Sequence, residues 1–347
     1  MKNFAITDIK NISIELTNLC NMTCDYCSLS LDDPPNKGGL VRFPDDLYLQ
    51  IIDYAAANLK NLEMVRLTNV SEFFLTKGLT TFYLPELKKR GLNYLIATNG
   101  SVYPKDIEEY KNFPPKQLVI GVQTITEQQF LANTRLKGVS WDAYLDSVGR
   151  LLRFFYENCH STLISIEVAY NDRSFSRKIL GKRENIHIPF FNEQMGYLPA
   201  FVKNLSDRSG VPLVRGEGTS KRYSWQRAVA NTADGRVVVG LKRFVDTKNF
   251  YGKIPTDDPP TCSTDNFVFY GDGQVKFCCI DFRHQTTFAS MRTEPLDAIF
   301  RKYTALVDQI RNVGSPYECC RHCMGYATRR EKFAKKLVRS IRTFTGK

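Results

Sequence analysis

"ELTNLCNMTCDYC", residues 15–27, sets Cys20, Cys24 and Cys27 at C-x3-C-x2-C spacing. Three neighbouring thiols are the wrong number for a structural zinc site, which closes on four ligands, commonly two C-x2-C pairs or a set completed by His. A cubane iron–sulfur cluster takes one thiolate per iron, so three cysteines leave one iron open to a ligand that is not protein. The competing reading is half of a zinc site completed by distant residues.

Outward from this stretch, short β-branched runs alternate with longer helix-like segments, the pattern of βα units and a parallel sheet. The strands expected are "ISIEL" (12–16), "EMVRL" (63–67), "NYLIAT" (93–98), "QLVIGVQ" (117–123), "TLISIEV" (162–168) and "NIHIPF" (185–190). "FPDDLYLQIIDYAAANL" opens with Pro44 and two aspartates, which suit a helix start and its dipole, and places Leu47, Ile51, Tyr54 and Ala55 on one face. "SWDAYLDSVGRLLRFFYEN" reads as a helix capped by Ser140, and Gly100 in "ATNG" permits a tight turn after the third strand. Parallel α/β folds bind ligands at the C-terminal ends of their strands, and the cysteine triplet follows strand one directly.

Residues 191–260 carry Gly and Pro punctuation ("GYLP", "RSGVPLVRGEGTS", "DDPP") and one clear strand, "GRVVVGL" (235–241); their structure stays unassigned. After 260, two alternating runs around "YGDGQ" predict a β-hairpin with Gly273 in or beside its turn, followed by a helix from Pro295 and then "CCRHC". The expected organisation is a partial barrel over 1–190, a connecting region over 191–260, a small cysteine-bearing module over 261–326 and a basic tail over 327–347.

At 347 residues, with 43% hydrophobic and 24% charged, the chain has the composition of a globular protein with a substantial core. Its start lacks the apolar run of a targeting segment and no 18-residue apolar stretch occurs, so a cytoplasmic location is expected. Ten cysteines in such a chain point to metal or catalysis rather than a disulfide framework. The formal charge is +12, but residues 328–347 hold eight Lys or Arg against one Glu, so the excess sits mostly in one segment. Phe333, Leu337, Ile341 and Phe344 form an apolar stripe there, which suits docking on the chain's own body or contact with an anionic membrane surface. Nucleic acid is not an expected partner.

The triplet, Tyr26 just before its last Cys and its position after strand one together resemble the radical S-adenosylmethionine (SAM) superfamily. "SEFFL" (71–75) stands where that family often has Gly-Gly-Glu-Pro, although Asn69 and Val70 replace the usual glycines; "TNG" (98–100) and "GVQTITEQQF" share the family's look. Cys262, then Gly273, Cys278 and the closing Cys320 and Cys323 resemble the Twitch auxiliary-cluster domain, the shorter relative of SPASM. The resemblance implies an α/β fold, a partial (β/α)6 TIM-type barrel with a small C-terminal β-hairpin and helix domain. It further implies a [4Fe–4S] cluster on Cys20, Cys24 and Cys27 with SAM at the open iron, and an auxiliary cluster on Cys262, Cys278, Cys320 and Cys323. Glu72 becomes a candidate for the SAM ammonium, Tyr26 for its adenine and Gln123 for its ribose. A structural zinc ribbon competes for the C-terminal four.

Other candidates have plainer alternatives. Cys279 is either a hydrogen-atom donor beside the substrate or a space-filling neighbour of a ligand, and Cys319 reads as a space-filling neighbour of a ligand. His187 is either a base toward substrate or a structural histidine, Tyr26 also buttresses its loop, a polar strand end accounts for Gln123 unaided, and Cys159 reads as a buried thiol.

As an enzyme the chain would abstract a hydrogen atom from an unactivated C–H bond, drawing electrons from a flavodoxin- or ferredoxin-type reductant. The resemblance favours a dehydrogenase oxidising an alcohol of a sugar or aminocyclitol, because loss of H and H+ from a carbinol leaves a strongly reducing species that a nearby cluster can oxidise. The alternatives are a radical sugar epimerase, an enzyme modifying a ribosomally made peptide, and a metal-stabilised nucleic-acid-binding protein whose affinity would fall steeply with salt.

Overall fold

The computed structural model describes residues 4–24, 27, 42–133, 136, 138–170, 191–219, 226–243, 267–278, 281, 285–317 and 319–320. Its strands are β1 (Asn11–Glu15), β2 (Met64–Arg66), β3 (Tyr94–Thr98), β4 (Gln117–Val122), β5 (Leu163–Tyr170), β6 (Val214–Thr219), β7 (Gln226–Asn231), β8 (Val237–Arg243), β9 (Val268–Tyr270), β10 (Gln274–Lys276) and β11 (Thr287–Ser290). They form one sheet in the order β11-β10-β9-β1-β2-β3-β4-β5-β8-β7-β6. From β9 through β1 to β5 and β8 every neighbour is parallel, and antiparallel strands extend both edges. This is the α/β, partial TIM-type barrel expected, left open between β11 and β6.

The first five strands fall where the alternation puts them. The segment 185–190, read as a sixth, lies outside the described residues. The parallel strand beyond β5 is β8, from "GRVVVGL", which pairs with β5 from Ile164↔Val237 to Tyr170↔Arg243. The parallel sheet thus runs past residue 190 into the stretch left unassigned. The helices are α1 (Asp45–Asn58), α2 (Leu84–Lys89), α3 (Glu127–Asn133), α4 (Trp141–Asn158), α5 (Phe191–Ser209) and α6 (Leu296–Asn312). Ser140 caps α4 by accepting from the Ala143 N–H at 3.1 Å, and Pro295 precedes α6.

Two parts of the reading need correction. "GYLP" is not a break: Gly196 and Pro199 lie inside α5. The hydrogen bond that Pro199 cannot donate is offset by a buried stripe of Leu198, Phe201, Val202 and Leu205 and by Arg208, which pairs with Asp142 and Asp146 of α4. On α1 the fully buried residues are Tyr48, Ile51, Ile52 and Ala55, with Leu47 and Tyr54 only partly covered, so its apolar face is rotated from the one expected.

Strand alternation splits the sheet into two unlike faces. Ile12, Ile14, Val65, Ile96, Leu118, Ile120, Ile166, Val239 and Phe269 are fully buried on one. Helices cover this face: Phe267 packs on Phe300 and Tyr303 of α6 with ring centroids 5.2 and 4.1 Å apart, and Phe300 stacks on Tyr54 of α1 at 4.7 Å. The register places Ser13, Glu15, Arg66, Gln117, Ser165 and Glu167 on the other face. With Lys242, which pairs with Glu167 at 2.5 Å, they give the inner face its polar groups, beside the apolar Leu95, Val119, Leu163 and Val268.

Gly100 shows how tightly strand and helix meet. Its φ is +77°, and a Cβ there would stand 2.8 Å from Val148 Cγ2 and 3.0 Å from Ile120 Cγ2. Gly100→Ala should therefore lower stability by about 2–4 kcal/mol through left-handed strain and overpacking. A thermal midpoint within a degree of wild type would contradict this reading of the turn.

Candidate cofactor and substrate site

The loop after β1 carries Cys20, Cys24 and Cys27 at the C-terminal end of the parallel strands, and the Cys27 N–H donates to the Cys24 carbonyl at 3.0 Å. Two neighbouring loops hold it. The Glu72 N–H donates to the Leu19 carbonyl at 2.7 Å. Asn99 donates through Nδ2 to Cys20 Sγ at 3.8 Å and to Asn21 Oδ1 at 3.2 Å, while Asn21 donates to Ser101 Oγ at 2.8 Å. The Tyr144 hydroxyl of α4 donates to the Asn99 carbonyl at 3.0 Å. "TNG" is thus the clamp that ties the third strand's end to the cysteine loop.

Burial pushes the Cys20 thiol up to about 12, and a bound cation reverses such a shift by holding the thiolate. The donor chemistry fits a cluster: three soft sulfurs on one loop and an amide N–H beside one of them. Among the described residues no three His, Cys, Asp or Glu side chains are gathered tightly enough to hold a single metal ion.

Glu72 is buried, 1% exposed. It accepts from the Phe74 N–H at 3.3 Å, the Thr98 hydroxyl at 2.5 Å and the Asn99 N–H at 2.7 Å. Three of about four acceptor positions on a carboxylate are filled, which leaves room for one more donor. Burial pushes its carboxyl up to about 7 against the pull of those hydrogen bonds. Glu72→Ala strips three buried donors of their acceptor and should cost about 2–4 kcal/mol while loosening Asn99 beside Cys20. Unchanged thermal stability would contradict this.

Gln123 stands just past the end of β4 on the inner face, its Nε2 3.3 Å from where a Gly121 Cβ would be. Tyr26, His187, Cys262, Cys279, Cys323 and the tail over 327–347 lie outside the described residues.

Sequence reasoning passed over Glu15. It is 4% exposed and accepts from the N–H groups of Asn69, Val70 and Ser71 at 2.7, 3.2 and 3.2 Å and from the Ser71 hydroxyl at 2.5 Å. Burial pushes it up to about 7. It holds the loop after β2 in the stretch where the usual glycines are missing. The signal was present: a carboxylate at the alternate position of "ISIEL" must sit on the face opposite the isoleucines.

The second cysteine group lies at the other end of the sheet. β9 runs parallel to β1, and β10 runs back antiparallel through Gly273 (φ +85°), so Cys278 leaves β10 toward the N-terminal ends of the parallel strands. The Cys278 N–H donates to Thr286 Oγ1 at 3.2 Å, and buried Asp281 accepts from the Thr286 N–H and hydroxyl at 2.5 and 2.8 Å. Cys319 and Cys320 stand beside Cys278, close enough for its charge to bear on Cys319. The Cys319 thiol donates to the Cys320 sulfur, which holds the Cys320 thiol below its usual range. Of the four C-terminal ligands expected, Cys278 and Cys320 are described, and Cys319 links them: the charge of Cys278 bears on it and its thiol bonds Cys320.

Residues 14–171 match the Radical SAM superfamily, a stretch that takes in the parallel strands β2 to β5, the end of β1 and the cysteine loop just described. That family uses a [4Fe–4S] cluster and SAM. By structure the chain is similar to BtrN in complex with AdoMet and 2-DOIA, at 12% identity and TM-score 0.50, covering 93% of this chain and 96% of that one. It is also similar to SuiB from Streptococcus suis, bound to S-adenosylmethionine, at 12% identity and TM-score 0.51, covering 91% and 72%. SuiB bound to precursor peptide SuiA gives 13% and 0.50, covering 92% and 73%. At such identities the likeness concerns the fold. No curated protein matches the sequence, and no described helix is long and apolar enough to cross a membrane.

Proposed function

We propose that this chain is a radical SAM oxidoreductase that oxidises an alcohol of a small polar substrate, a sugar or aminocyclitol. The observation that carries the reading is the polar inner face of the sheet standing between two cysteine groups at its opposite ends. Cys20, Cys24 and Cys27 would hold the SAM-binding cluster; Cys278 and Cys320, with Cys262 and Cys323, would hold an auxiliary one. When bound, these groups supply a 5′-deoxyadenosyl radical at one end and a one-electron acceptor at the other. The chain's own residues do the rest. Glu72 and Asn99 fix the cysteine loop, Gln123 and Tyr26 contact SAM, and the inner-face polar groups orient the substrate. BtrN, matched over nearly its whole length, was crystallised with 2-DOIA, which supports a small substrate.

A second reading, modification of a peptide, draws on SuiB's complex with its precursor peptide; the third is epimerisation with Cys279 as hydrogen donor. Anaerobic incubation with SAM, a flavodoxin- or ferredoxin-type reductant and candidate polyols separates them. Oxidation gives a product two mass units lighter. Unchanged mass with solvent deuterium at an inverted carbon would instead establish the epimerase, and turnover of peptides alone would establish the second reading.

A further inference from the structure

The inner face holds an unexplained cation. Lys276 on β10 is fully buried, yet its Nζ has no hydrogen-bond partner among the described residues. The ammonium lies 3.6 Å from the centroid of the Tyr270 ring. Buried ammonium groups without an acceptor are costly and uncommon, so this one calls for a reason.

Register supplies the neighbourhood. Lys276 pairs with Val268, Val268 with Ser13, and Ser13 with Arg66, so one lateral row crosses β10, β9, β1 and β2. Laterally paired residues point to the same face, which is the polar inner one. Ser13 Oγ and Arg66 Nε are also buried and without a hydrogen-bond partner among the described residues. Three inter-strand steps of about 4.8 Å separate the backbones of Lys276 and Arg66, with Ser13 between them in the row.

The charges of Asp281, Asp272 and Glu15 bear on Lys276, yet none of these carboxylates accepts from its Nζ among the described residues. Glu15 stands one inner-face position further along β1, but its two oxygens already accept two donors each, which fills a carboxylate's four lone-pair sites. Asp281 directs Oδ2 to Thr286. The row therefore presents two cations and a hydroxyl between the two cysteine groups, with Lys276 Nζ, Arg66 Nε and Ser13 Oγ lacking a hydrogen-bond partner among the described residues.

We propose that Lys276, together with Arg66 and the Ser13 hydroxyl, binds an anionic oxygen group, a carboxylate or phosphate, carried by the substrate. This rests on the polyol-oxidising reading and narrows it: the alcohol oxidised belongs to an acidic or phosphorylated polyol. Lys276 acts as a binding residue, placing the substrate on the inner face between the two ends of the sheet.

The test measures binding, so its result stands apart from turnover. Reconstituted holoenzyme with SAM is titrated anaerobically with matched probes: glucose, glucuronate and glucose 6-phosphate, and myo-inositol with myo-inositol 1-phosphate. At least one anionic member should bind more tightly than its neutral parent, the carboxylate and phosphate arms showing which group is preferred. Lys276→Met should weaken that binding roughly 10- to 100-fold, the effect of losing a charged hydrogen bond, and Arg66→Gln should weaken it too. SAM affinity should stay unchanged in both. Lys276→Met should melt no lower than wild type, because a volume-matched apolar side chain removes a buried ammonium that no described group accepts from, and Lys276→Arg should recover part of the binding. Equal binding of neutral and anionic probes, binding of none, or unchanged anion affinity in Lys276→Met would each overturn the proposal. Anion binding through Lys276 without any oxidised product would leave it standing and remove the oxidoreductase reading.

Discussion

Replacing Cys20, Cys24 and Cys27 together with Ala is expected to abolish formation of 5′-deoxyadenosine from SAM. The loss should be complete because no other described thiol lies on the loop after β1. Anaerobically reconstituted wild type should hold about seven to eight irons if both clusters are cubanes, and the triple variant about four fewer. The fold should persist, since the loop is also anchored by the Glu72 N–H to Leu19 and by Asn21 with Asn99 and Ser101. A triple variant that still makes 5′-deoxyadenosine would remove the cysteine loop from the chemistry.

The second large effect concerns the opposite end of the sheet. Replacing Cys278 and Cys320 with Ala should leave some SAM cleavage intact yet stop formation of the product two mass units lighter. The reason is topological: the hairpin through Gly273 carries Cys278 away from the end where Cys20 stands, so the two sites can be damaged separately. Losing both activities together in a stably folded variant would contradict separate roles, and full oxidation by the variant would remove the auxiliary group from the reaction.

Much of this was legible before any coordinates. The β-branched runs located β1 to β5 because a buried parallel strand is nearly continuous in aliphatic residues, and the "YGDGQ" turn announced its hairpin through Gly273. The triplet announced its chemistry because three thiols in one loop have few other uses. The sixth parallel strand was recognised as a strand but not joined to the sheet, since β8 is separated from β5 by α5 and the β6–β7 pair and nothing local encodes that pairing. Pro199 misled because a proline is read as a break, whereas packing of α5 on α4 tolerates it.

The candidate site divides the same way. Cysteines are visible by type and spacing, but Glu15, Asn99 and Lys276 matter through partners 54 to 263 residues away. Lys276 looks like any surface lysine in "GQVKF". Only the register of β10 on β9 and of β9 on β1 places it on the inner face, in a row with Ser13 and Arg66.

The central claim is that Cys20, Cys24 and Cys27 hold a cluster whose remaining iron binds SAM. The direct measurement is electron–nuclear double resonance on the reduced, reconstituted protein with SAM labelled by 15N at the amino group and 17O at the carboxylate. Hyperfine coupling to both labels, present in wild type and absent in the triple Cys→Ala variant, is the predicted result; a reduced cluster that shows no coupling to either label in the presence of bound SAM would contradict it.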